Sequence, residues 1–77
     1  EIKLSGGLGP IELTERERTI AELVADGLSD RDISQTLSLA ASTVSNNLST
    51  IYTKLHVESR TQLAILIWRQ RSIEHPT

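Results

Sequence analysis

Apolar residues recur along this chain at helical spacing, in four blocks separated by polar punctuation. Ile20, Leu23 and Val24 share one face of the first block. Ile33 and Leu37, four apart, mark the second. Val44, Leu48, Ile51, Tyr52 and Leu55 form a single stripe over roughly residues 41–55, and Leu63, Ala64, Leu66 and Ile67 serve a fourth helix from about Arg60 to Arg71. The blocks carry start signals. Thr14 with Glu17, Ser29 with Asp32 and Ser59 with Gln62 each place a hydroxyl cap three residues before a side chain that reaches back to it. They also carry stop signals: Gly27 supplies a left-handed residue after the first helix, and the chain is expected to turn through a left-handed conformation at His56. The pattern predicts an all-α fold, four short helices around one aliphatic core, spanning residues 13–71. Residues 1–12 have neither period, and Gly6-Gly7-Leu8-Gly9-Pro10 reads as a flexible linker, which suggests a partner domain upstream in an intact protein. Residues 72–77, with Pro76, read as a tail.

Composition narrows the classes. The chain has 77 residues, enough for one small domain with a modest core. It has no cysteine, phenylalanine or methionine, so aliphatic side chains must build that core, and disulfides and thiolate metal sites are excluded. Tyr52 and Trp68 are the only aromatics. No apolar run approaches the ~18 residues of a membrane span and no signal peptide is visible, so a cytoplasmic protein is expected, without a membrane partner. His56 and His75 lack partners at metal-ligand spacing. The glycine run lacks the Lys-Ser/Thr of a phosphate loop, and no nucleophile–base order stands out. The expectation is no enzyme, no cofactor, no metal and no small-molecule ligand. Ile65 and Trp68 cannot face the core together with Ile67. With Arg69 they suggest a homodimer patch on the last helix; the alternative is a Trp folded over the core edge.

The second and third helices, joined by a tight turn through Ser38, Leu39 and Ala40, match the helix-turn-helix pattern. Ser34 supplies a small residue where such helices cross, and Ser38 sits where glycine is common. If Val44, Leu48 and Ile51 point inward, then Ser42, Ser45, Asn46 and Ser49 point outward. A merely solvated face would more often use Lys, Glu or Gln. Ser, Thr and Asn compete for backbone hydrogen bonds, yet they fill positions 42, 43, 45, 46, 47, 49 and 50. Asn pairs with adenine edges and Ser donates to or accepts from several bases, so the face suits major-groove readout. Charge cuts the other way. The net charge is −2, whereas nucleic-acid binders are usually basic. The acids gather between Glu12 and Asp32, and from Gln35 to Val57 there is none, with Lys54 the lone base. The outward face is thus nearly neutral rather than repulsive.

Four stretches together resemble the LuxR-type helix-turn-helix domain: Leu13-Thr14-Glu15-Arg16-Glu17, Gly27-Leu28-Ser29-Asp30-Arg31-Asp32-Ile33, Thr43-Val44-Ser45-Asn46-Asn47-Leu48, and Ile51-Tyr52-Thr53-Lys54-Leu55-His56-Val57 with Ser59-Arg60-Thr61. The resemblance implies the C-terminal DNA-binding domain of a bacterial transcription regulator, such as a response regulator, with a third helix that reads duplex DNA, often as a dimer. It places base reading on Ser45, Asn46 and Ser49. It places phosphate contacts on Arg31, Ser42, Thr43, Asn47 and Lys54, with Lys54 and Arg60 at positions that are basic in the family; Glu17 pairing with one of these two is the structural alternative. Double-stranded DNA, a second copy and RNA polymerase are the implied partners, and a nucleoid-associated location follows. The chain departs from the family in having Ser at 42, 45 and 49, where Lys or Arg is frequent, Asn at 47, where His is frequent, and Ala40 where a Ser or Thr cap is usual. Such a change costs about 1 kcal/mol unless Ser42 caps a later start. Two other readings stay open: a sigma-factor-like promoter-reading domain, and a helix-turn-helix fold used as a protein-interaction module.

Overall fold

The computed structural model describes residues 13–74, backbone only for 73 and 74. The linker expected over residues 1–12, His75 and the end of the tail lie outside the described residues. Four helices follow in order: α1 (Glu15–Ala25), α2 (Asp30–Leu37), α3 (Ala41–Leu55) and α4 (Arg60–Glu74). The last continues three residues beyond the expected end at Arg71, so the first part of the predicted tail is helical.

Capping fixes the helix starts. Thr14 accepts from the backbone N–H of Glu17 at 3.1 Å, while Glu17 Oε1 accepts from the Thr14 N–H at 2.9 Å. Ser29 and Asp32 repeat the box on α2. At α4 the box is half formed: Ser59 accepts from the Gln62 N–H, but the Gln62 side chain reaches one residue further back, to the N–H of Glu58. Ala40 begins α3 with no side-chain bond, and Ser42 does not take over, because the helix already starts at Ala41.

The ends of α1, α2 and α3 share one solution. The N–H groups of Leu28, Leu39 and Val57 donate back to the carbonyls of Leu23, Ser34 and Tyr52, and the residue before each donor is left-handed. Those residues are Gly27 (φ 96°), Ser38 (φ 57°) and His56 (φ 57°). A side chain at 27 would meet nothing within 4 Å, so φ alone favours glycine there.

The core joins all four helices: Ile20, Ala21, Val24 and Ala25 of α1, Ile33 of α2, Val44, Leu48 and Ile51 of α3, and Leu63, Ala64 and Ile67 of α4. Leu23, Leu37, Leu39, Tyr52 and Leu55 pack half-buried around it. α1 lies centrally, packed against the other three, and α2 packs on α3. This places α3 with one face locked inward and the opposite face in solvent. No helix among the described residues is long and apolar enough to cross a membrane.

Candidate functional site

Burial of Val44, Leu48 and Ile51 leaves Ser42, Ser45, Asn46 and Ser49 exposed, at the i, i+3, i+4, i+7 spacing of one helical face. The polar side chains of α3 divide into two sets. Asn47 is half-buried and its Nδ2 donates to the Thr43 carbonyl at 2.7 Å. The Thr50 and Thr53 hydroxyls bond the carbonyls of Asn46 and Ser49. Ser42, Ser45, Asn46 and Ser49 make no side-chain hydrogen bond among the described residues, so their donors and acceptors face solvent. Ala41 and Ser42, in the uncapped first turn, also present backbone N–H groups outward at the positive end of the helix dipole. Thr43 is half-buried beside them.

The cations near this face are distributed unevenly. Arg31 is exposed in the first turn of α2 and forms no ion pair among the described residues. Lys54 lies five residues beyond Ser49, roughly 140° around the helix from it. Its Nζ donates to Glu17 Oε1 at 2.7 Å. That bond and the Thr14 backbone N–H hold the Glu17 carboxyl below its ordinary range, against the opposing push of burial. Arg60 pairs with Asp30 and also donates to the Leu28 carbonyl at 2.6 Å, tying the start of α4 to the loop before α2. Of the two expected candidates for Glu17, Lys54 is therefore the partner. Arg60 found a different acid, which sequence spacing did not signal.

Among the described side chains of α4, Ile65 and Trp68 are the exposed large apolar residues, Trp68 half exposed. Trp68 is also anchored: its indole N–H donates to the Ala25 carbonyl at 2.9 Å. Arg71 pairs with Asp26 alongside. The bond to Ala25 fits the expectation of a Trp folded over the core edge, with half of its surface left exposed. Arg69 is exposed beside it.

Residues 12–67 match the family model for bacterial regulatory proteins of the luxR family. The chain is 48% identical over 48 residues to the transcriptional regulatory protein DesR of Bacillus subtilis, covering 62% of this chain and 24% of the relative. It is 42% identical over 53 residues to the DNA-binding transcriptional activator DevR/DosR of Mycobacterium tuberculosis, covering 69% and 24%. To the response regulator protein VraR of Staphylococcus aureus it is 37% identical over 62 residues, covering 80% and 30%. The chain thus spans about a quarter of the length of the curated relatives it matches first. These matches favour neither the sigma-factor reading nor the interaction-module reading.

Proposed function

The chain belongs to the luxR family of bacterial regulatory proteins, as a helix-turn-helix DNA-binding domain, and from that premise we propose that it positions a transcription regulator on duplex DNA by laying α3 in the major groove. The observation that carries this is the exposed set Ser42, Ser45, Asn46 and Ser49, held outward by a locked apolar face and without side-chain hydrogen-bond partners among the described residues. Ser45, Asn46 and Ser49 read base edges. Arg31, Ser42, Thr43 and the uncapped N–H groups of α3 hold phosphates and set register. Asn47 and Lys54, expected among the phosphate contacts, act mainly within the domain in this reading, because each already spends a donor there, Asn47 on the Thr43 carbonyl and Lys54 on Glu17.

In this reading the intact protein carries a signalling domain elsewhere, and this domain is its effector. It works by binding rather than catalysis, on the nucleoid. Ile65, Trp68 and Arg69 pair two copies so that their third helices meet half-sites about one helical turn apart. RNA polymerase is the further partner at a promoter.

An NMR amide-shift titration with a short random-sequence duplex tests the DNA reading. Amides of residues 42–50 and around Arg31 shift at low salt and the effect fades at physiological salt. Absence of any shift at low salt would sink the proposal.

A further inference from the structure

The exposed stripe of α3 carries no arginine or lysine, and the nearest later cations are engaged elsewhere, Lys54 with Glu17 and Arg60 with Asp30. Guanine is read in the major groove chiefly by Arg or Lys, bidentate to O6 and N7, whereas adenine is read by Asn or Gln, bidentate to N6 and N7. The two neighbouring asparagines differ in what they can offer. Asn47 spends an Nδ2 donor on the Thr43 carbonyl and is half-buried. Asn46 is exposed, with its side-chain Nδ2 and Oδ1 both without a partner among the described residues. Ser42, Ser45 and Ser49 flank it at helical spacing; a hydroxyl serves as donor or acceptor and discriminates little on its own.

Building on the DNA-reading role of α3, we infer that this domain selects A·T base pairs in the major groove, with Asn46 as the specificity-determining residue and an adenine as its bidentate partner, and that no guanine is read from the stripe. Asn46 Nδ2–H donates to adenine N7 and its Oδ1 accepts from N6–H. The neutral hydroxyls around it tolerate changes at adjacent positions, so one strongly constrained A·T pair per half-site is expected, amid weaker preferences.

The test is a selection from a random duplex pool with the 77-residue chain, followed by affinity measurements on the enriched site. An adenine enriched at one position, and 7-deaza-adenine placed there weakening binding about tenfold or more, is the expected result. The Asn46→Ala variant binds the enriched site less tightly, loses selection at that position alone, and shows no further loss with the deaza base. The deaza experiment leaves the protein untouched, so it does not depend on how the variant folds. A guanine core in the selected sites, or a wild-type chain indifferent to the deaza base, overturns the inference while leaving DNA binding intact. Duplex binding with no enriched position has the same consequence. No duplex binding at low salt overturns both this inference and the reading beneath it.

Discussion

The Lys54 ammonium sits 2.7 Å from the Glu17 carboxylate and joins the last turn of α3 to the first turn of α1. The same Glu17 oxygen closes the capping box of α1, so one buried carboxylate serves a helix start and an interhelical tie together. Its two roles separate by substitution. Glu17→Gln retains an acceptor for the Thr14 N–H and loses the charge, and costs about 1 kcal/mol, because Lys54 is a third exposed and its pair is partly screened. Glu17→Ala removes the cap bond as well and costs about 2–3 kcal/mol. Urea midpoints at neutral pH measure both.

The lowered Glu17 pKa makes stability depend on acid. The unfolded carboxylate titrates in the ordinary glutamate range, and the folded one lower. Below the unfolded value the unfolded chain binds more protons, so stability falls as pH drops through the folded pKa and is fully present above the unfolded value. Denaturant midpoints taken from pH 6 down to 3 show this decline, and its slope is shallower in Glu17→Gln.

Ala40 has the extended backbone of a helix cap (φ −69°, ψ 151°) without the side chain to complete it. Ala40→Ser supplies a hydroxyl to an orphan N–H and raises stability by about 1 kcal/mol. Thermal unfolding measures the gain. The same hydroxyl competes for the N–H groups assigned to phosphate, so duplex affinity at low salt falls.

Trp68 carries two loads that separate in the same way. Trp68→Phe deletes the N–H bonded to the Ala25 carbonyl and costs about 0.5–1.5 kcal/mol in denaturant titration. Sedimentation tests the open face: Trp68→Ala and Ile65→Ser each weaken self-association, and unchanged association in both would remove the dimer patch from the proposal.

Arg31 and Lys54 differ in availability, and salt dependence separates them. Arg31→Ala weakens duplex binding across sequences and reduces the slope of log K against log salt by about one. Lys54→Ala leaves that slope nearly unchanged and lowers stability instead, since its charge is spent on Glu17.

What the linear sequence determined about this protein lies within four or five residues of its own cause. The cap hydroxyls of Thr14, Ser29 and Ser59, the turn at Gly27, the left-handed residue at His56 and the stripe from Val44 to Leu55 all act between near neighbours, and helical spacing makes such pairs visible in one dimension. The outward position of Ser42, Ser45, Asn46 and Ser49 followed from the same arithmetic. Tertiary structure alone decided which charges meet. Lys54 with Glu17, Arg60 with Asp30 and Trp68 with the Ala25 carbonyl join residues 30 to 43 positions apart, and only the angle at which the helices pack brings each pair within reach. Helical spacing, by contrast, separates Asn46 from Asn47 locally. They are adjacent in the chain but roughly 100° apart around α3, so one is turned toward its own backbone and half-buried while the other stays in solvent.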